Sequence, residues 1–476
     1  MHSTIRGALG VSSALVALAV LSAGCDQGGS PTGSADKPAT GDGTRRTDRT
    51  PPHPGLGDIL VGDEPVTGSR RTGEDKAPFE RTYTDGPLYA AVTGYRSTAF
   101  GNAGLESVYG DILAADASGN ASGDVMTTID PKAQKAAFEA LGDRRGAAVA
   151  LDAESGALLA VVSTPSYDPT TFSGHGRADA KAWKALTADR RSPLLNRALR
   201  EVGAPGGTFN VVVAAAALEK GLYASVDERT DSPLTYVLPQ STTSVTGASS
   251  GCEDAPIARA LSLSCDNVFA KMASDLGADE LRSVAERFGF DDDTLTVPVR
   301  VAESVYPRAG VSRPATALTG IGAGDLRATP LAMARVAAAV ASGGRLVAPT
   351  LVERVTKADG GTVRSKAKGR TGRAVSARTA DALRDALGAT AGEVLSSGGD
   401  KAGSGTGAKA AWVSDGRDGT GSAWFIAYTD GAKGHPVAVA VRVEDQPSGA
   451  DPRKAAEPAV TVGESLLAGL SSTTRR

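Results

Sequence analysis

A serine hydroxyl and a lysine amine three residues apart on a helix make a compact device for acyl transfer. The amine lies on the same face one turn later and, with its pKa lowered by burial, can take the hydroxyl proton. The sequence has this spacing at Ser34 to Lys37 and at Ser365 to Lys368, and neither pair opens an apolar helix. A helix suited to holding such a pair lies elsewhere, within Gly203 to Gly221. There the run from Val211 to Leu218 has no polar interruption, which predicts a helix buried on all sides. Its opening reads Pro205-Gly206-Gly207-Thr208-Phe209-Asn210. This opening holds neither a serine nor a lysine. Thr208 carries a hydroxyl, but one residue along a helix turns it about 100° from the face of residue 207, and no lysine stands three residues beyond it.

Two further clusters of polar residues sit in chemically suggestive settings. Ser264-Cys265-Asp266-Asn267 precedes the apolar stretch Val268-Phe269-Ala270, so Ser264 reads as a helix cap, as a site residue, or as both. Lys401-Ala402-Gly403-Ser404 lies in a Gly-rich loop ahead of two apolar strands, and a register one step on, through Ser404-Gly405-Thr406, stands beside it. Cys252 and Cys265 would close a loop of about fourteen residues, contributing about 3 kcal/mol if bridged in an oxidising compartment, with a buried free thiol at Cys265 as the alternative.

Composition excludes several classes of function. A net charge of -3 over 476 residues argues against a nucleic-acid surface. With four His, three Cys and no Cys-x-x-Cys, neither a zinc site nor a catalytic His is expected, and no cofactor is implied.

The elements that must position these residues follow a long preamble. His2 and Arg6 precede an apolar run from Ala8 to Leu21, too short to span a bilayer comfortably, which ends Leu21-Ser22-Ala23-Gly24-Cys25. Residues 1–24 therefore read as a signal peptide. The segment from Cys25 to residue 82 is rich in Gly, Ser, Thr, Pro, Asp and Arg and reads as a disordered tether of about 40 Å root-mean-square span. Order is expected from Tyr83. Val125 to Ile129 reads as a strand, Pro131 to Leu141 as an amphipathic helix with proline in its first turn, and Gly146 to Ser163 as a buried hairpin. Ser422 to Tyr428 and Val437 to Val443 read as an antiparallel pair.

The order of these features resembles the penicillin-binding transpeptidases, in particular the elongated class B-like members. The hairpin Gly146 to Ser163, the following Ser163 to Pro169, Pro193-Leu194-Leu195-Asn196-Arg197-Ala198, the Pro-Gly-x-Thr-Phe helix opening, and Ala328-Thr329-Pro330-Leu331-Ala332-Met333-Ala334 occur in the family's sequence. In that family the helix opening carries Ser-x-x-Lys; a second motif is Ser-x-Asn or Ser-x-Asp, and a third Lys-Thr/Ser-Gly-Thr/Ser. The resemblance places Gly207 and Asn210 at the first, Ser264 and Asp266 at the second, and Lys401, Gly403 and Ser404 at the third. Glutamines of the family's Gly-rich and Pro-Leu-Gln turns are matched here by Ala323 and Ala332. The end of the preamble resembles a lipobox, in which Cys25 is lipidated.

The resemblance implies an α/β (α+β) architecture of the penicillin-binding and serine β-lactamase type. A small linker module at 83–145 precedes a transpeptidase-like domain at 146–470 with an antiparallel sheet and a helical subdomain, and 471–476 form a tail. It further implies a lipoprotein on the outer face of a bacterial cytoplasmic membrane, acting in peptidoglycan metabolism. The vacant hydroxyl and amine point to a pseudo-transpeptidase that binds or regulates. A D,D-transpeptidase or carboxypeptidase with a non-standard nucleophile, and a non-covalent sensor or scaffold, are the alternatives. Expected partners are a stem peptide or β-lactam, cell-wall synthesis proteins, and the membrane through its anchor.

Overall fold

The computed structural model describes residues 54–471 apart from 117, 309, 365–366, 396–404, 417–418, 432–433 and 450–451. Cys25 and the lipobox lie outside the described residues, as do Lys401, Gly403 and Ser404.

At the centre stands a five-stranded, wholly antiparallel sheet. Its strands are β1 (Gly146–Asp152), β2 (Leu158–Thr164), β3 (Gly407–Ser414), β4 (Thr420–Asp430) and β5 (Pro436–Pro447), in the spatial order β3-β4-β5-β1-β2. Because side chains alternate along a strand, each central strand feeds two cores. Ala148 and Ala150 of β1, Phe425 of β4 and Val439 and Val441 of β5 face one core. Val149, Leu151, Trp424, Ile426 and Ala440 face the other. Both faces are thus apolar, which is why these segments read as continuous apolar runs. The first face is covered by α1 (Pro131–Leu141) and the long C-terminal helix Pro452–Ser471.

On the second face lies the helical subdomain. It contains the expected buried helix, α2 (Asn210–Glu219), followed by α3 (Ile257–Leu263), α4 (Asp266–Leu276), α5 (Arg313–Gly320), α6 (Pro330–Ala341) and α7 (Ala377–Val394). Every residue of α2 from Asn210 to Ala217 is buried. All twelve residues of α6 are buried too, and Thr329 caps that helix by accepting from the Ala332 amide. Alanine is the commonest residue in both helices, so α6 packs closely on the sheet and α2 on its helical neighbours, α4 and α7 among them.

The expected disordered tether through residue 82 is corrected by strands at Ile59–Val61, Thr67–Arg71 and Phe79–Tyr83. Few apolar residues lie there, but Leu56, Ile59, Val61, Val66 and Phe79 are all buried. Packing is completed by a fully buried ion pair, Arg81 Nε to Glu106 at 2.7 Å, whose guanidinium also donates to the Gly57 carbonyl at 2.8 Å. A low apolar density masks such a module, because composition does not reveal a satisfied internal charge pair. The module is also discontinuous in sequence. Gly123–Thr127 pairs in parallel with Ile59–Val61 on one side and antiparallel with Val352–Lys357, from beyond α6, on the other. A boundary at residue 145 therefore divides a sheet whose strands come from both sides of it.

Candidate active site

The opening of α2 is a 3-10 turn, Gly206–Phe209, pressed against the edge strand β3. Phe209 anchors it, its ring packing against Phe290 and Tyr306 at centroid distances of 5.4 and 6.3 Å. Gly206 adopts φ 58°, and its amide donates to the Gly322 carbonyl at 3.0 Å. Gly322 itself has φ 69°, and a Cβ there would stand 1.9 Å from the Gly206 carbonyl oxygen. Two backbones meet directly here, so glycine is required by both conformation and space.

Gly207 faces β3. A Cβ at this position would lie 3.1 Å from Asn210 Oδ1 and 3.4 Å from Ala411 Cβ. Asn210 is fully buried. Its Nδ2 donates to the Gly320 carbonyl at 2.8 Å, while its Oδ1, on the Gly207 side, has no hydrogen-bond partner among the described residues. Thr208 is fully buried too, and its hydroxyl donates to the Pro205 carbonyl at 2.6 Å, which engages it in the turn.

Across the cleft, α3 ends at Ser264, which adopts a left-handed conformation with φ 56°, and α4 begins at Asp266. The expected capping role for Ser264 is corrected: the N-cap position of α4 is Cys265, whose side chain makes no capping bond. The left-handed turn instead aims the Ser264 hydroxyl at β3, where it accepts from Lys409 Nζ at 2.5 Å. Cys265 and Cys252 are joined as a disulfide. Asn267 Nδ2 donates to the Cys252 and Pro233 carbonyls, both at 2.9 Å. The turn that carries Ser264 and Asp266 is thereby tied to the segment ahead of α3.

Lys409 is 1% exposed. Burial pulls its ammonium down to about 8, with Asp266 opposing that fall and Arg453 adding to it. Burial likewise pushes the Asp266 carboxyl up to about 6, with Lys409 pulling it back. An anion at 266 thus has a cation across the cleft at Lys409, although residue 210 is uncharged.

Of the residues selected from the sequence, Gly207, Asn210, Ser264 and Asp266 converge around β3. Lys401, Gly403 and Ser404 lie outside the described residues, and the cation that β3 brings to Ser264 is Lys409, which the sequence reading missed. A search for lysine followed by a hydroxyl residue and glycine passes over Lys409, because Ala410 and Ala411 follow it. The available signal was a lone lysine inside the strand-like run Gly407 to Val413, opposite the strand that starts at Thr420. Lys409 and Ala411 are two residues apart and so share a face of the strand.

Residues 146–462 match the penicillin binding protein transpeptidase domain, and residues 56–137 match the penicillin binding protein A dimerisation domain. The chain is 35% identical over 416 residues to the peptidoglycan D,D-transpeptidase PbpA of Mycolicibacterium smegmatis, covering 82% of this chain and 84% of that one. The corresponding PbpA of Mycobacterium tuberculosis strain H37Rv is 34% identical over 423 residues, with 82% and 84% covered. A crystal structure of PBPA from Mycobacterium tuberculosis matches with a TM-score of 0.79 at 31% identity, covering 88% of this chain and 99% of that one. A penicillin G acyl-enzyme complex of penicillin-binding protein A from the same organism matches with a TM-score of 0.78 at 31% identity, again over 88% and 99%. The chain belongs to the penicillin-binding protein transpeptidase family.

The backbone contact at Gly322 makes a prediction about this cleft. Gly322→Ala should lower unfolding stability in urea by well over the 1–2 kcal/mol that a left-handed alanine costs on its own. Gly324→Ala, at φ 70° with its nearest neighbour 3.8 Å away, should cost only that conformational share. Equal losses in the two variants would contradict the packing of Gly322 on Gly206.

Proposed function

We propose that this member of the penicillin-binding protein transpeptidase family acts in peptidoglycan metabolism as a non-covalent binding or regulatory protein. In this reading Gly207 and Asn210 occupy the nucleophile and base positions of the family, and no acyl-enzyme forms at the helix opening. The protein works outside the cytoplasmic membrane, anchored through Cys25; membrane-fraction recovery that persists in a Cys25→Ser variant would argue against the anchor.

The observation that carries this reading is the asymmetry of the cleft. On the α2 side, Gly207 offers no hydroxyl, and Asn210 spends its amide on the Gly320 carbonyl. Loss of one member of a catalytic unit commonly removes about 10^6-fold of rate, so loss of both leaves no ordinary acyl-enzyme route. On the opposite side a buried ammonium and a hydroxyl remain, at Lys409 and Ser264. A terminal carboxylate, as carried by stem peptides and β-lactams, would accept from both and so receive a charge-assisted hydrogen bond in a poorly solvated site.

A second reading draws on the same Lys409–Ser264 contact. The Ser264 hydroxyl attacks the amide carbonyl of a D-Ala-D-Ala terminus, its proton passes to neutral Lys409, and the departing D-Ala amine receives that proton. This reading predicts D-Ala release from a stem pentapeptide that is abolished by Ser264→Ala; absence of release from the unaltered protein would end it.

The non-covalent reading carries its own pH dependence. Lys409 is charged below about 8, and Asp266, the competing anion, is neutral below about 6. Affinity for benzylpenicillin or a D-Ala-D-Ala peptide should therefore be highest below about pH 6 and fall by about tenfold or more as pH rises past 8, since a hydrogen bond to a charged group contributes about 1.5–3 kcal/mol. Lys409→Met should give weak binding with no such fall. Isothermal titration across this range decides the matter: a flat affinity, or a Lys409→Met variant that binds as well as the unaltered protein, would contradict the role given to Lys409.

A further inference from the structure

A second concave site lies away from this cleft, where the N-terminal module meets the transpeptidase domain. It is a cavity of about 390 Å³, within the range that small ligands occupy. One wall comes from the module, including Tyr95, Ser107 and Val108. The other comes from the domain, including Tyr167, Leu194, Leu199, Arg200 and Arg300.

Three features make this a built site rather than an accidental gap. First, the walls are tied together. Asn196 Nδ2 donates to the Ala91 carbonyl at 2.8 Å and the Ser166 hydroxyl to the Pro87 carbonyl at 2.6 Å, each bond crossing from domain to module. On the module wall, Gly94 and Gly104 lie backbone against backbone, with a Cβ on Gly104 falling 2.7 Å from Gly94 Cα. Second, the aromatic part of the wall is held in place. The Tyr95 ring packs edge-on against Phe172 at 5.2 Å and Trp183 at 5.5 Å, and it meets Tyr167 at 6.3 Å. Third, the cavity carries two exposed arginines, Arg200 and Arg300, neither of which pairs with a carboxylate among the described residues. Other arginines behave otherwise: the buried Arg197 pairs with Glu201 at 2.9 Å, and the half-buried Arg145 with both Glu201 and Glu444.

Charge, shape and wall chemistry together describe the ligand. Two unpaired guanidinium groups select an anion, and planar forks favour carboxylate. Tyrosine rings and the apolar lining of Leu194, Leu199 and Val108 suit a compact body with an apolar face, such as a sugar ring. We propose that this junction cavity is a binding site for a carboxylated, N-acetylated amino sugar of the muramyl class, spatially separate from the cleft around Lys409. The choice of the muramyl class rests on the cell-wall role proposed above, whereas the preference for a compact carboxylate rests on the cavity alone.

The test uses the full chain, with N-acetylmuramic acid as probe and N-acetylglucosamine as its neutral counterpart, in titration calorimetry and ligand-observed NMR. N-acetylmuramic acid should bind, with the neutral sugar weaker by about tenfold or more, the size of a lost charge-assisted contact. Arg200→Ala and Arg300→Ala should each weaken binding, Arg200→Glu with Arg300→Glu should abolish it, and Ser107→Trp, on the exposed module wall, should block it. Lys409→Met should leave it unchanged, which separates failure of this site from failure of the cleft. Equal binding of the two sugars, no binding of either, binding that survives both the double arginine change and Ser107→Trp, or binding lost in Lys409→Met would each overturn the proposal.

Discussion

The cleft depends on a lysine held where water scarcely reaches. Lys409 is buried in the edge strand of the central sheet, and an ammonium there must be compensated or lose its proton. Its compensation comes from one side of the cleft, through the Ser264 hydroxyl and the Asp266 carboxyl. To supply them, α3 must stop at a serine in a left-handed conformation and α4 must start two residues later, with a disulfide and the Asn267 amide fixing the turn between. The turn between α3 and α4 is thus tied to the sheet edge by one cation, and the same cation is the group best suited to receive a ligand's carboxylate.

The opposite side of the cleft is organised by contact rather than charge. Gly206 and Gly322 touch backbone to backbone, Phe209 fills the space beneath, and these contacts hold the turn against β3 without any side chain at residue 207. This explains how the fold persists without a serine there: the geometry of the turn does not depend on that side chain. Asn210 shows the cost. Its Oδ1 is buried without a partner among the described residues, and a buried acceptor left unsatisfied costs about 1–3 kcal/mol. A donor at residue 207, or one carried by a ligand, would meet it.

Much of this was legible in the chain itself. The apolar run Val211 to Leu218, the hairpin at Gly146 to Ser163 and the proline at the start of α1 each have a local physical signature, and all three elements form as read. What escaped the sequence was decided by tertiary contact. The strands between Ile59 and Tyr83 are short and polar and are held partly by the Arg81–Glu106 pair, which has no local signature. Val352–Lys357 joins the module's sheet from more than two hundred residues away, so no linear boundary describes it. Lys409 was passed over because a strand lysine gains meaning only from what lies across the cleft, in this case a serine 145 residues earlier in the chain.

As proposed, the family's fold surrounds a cleft that binds without acylating. Intact-mass analysis of the full chain after exposure to benzylpenicillin tests it in one spectrum. The account predicts the unmodified mass under conditions in which calorimetry records binding. A stable adduct of one penicilloyl group per chain would contradict it.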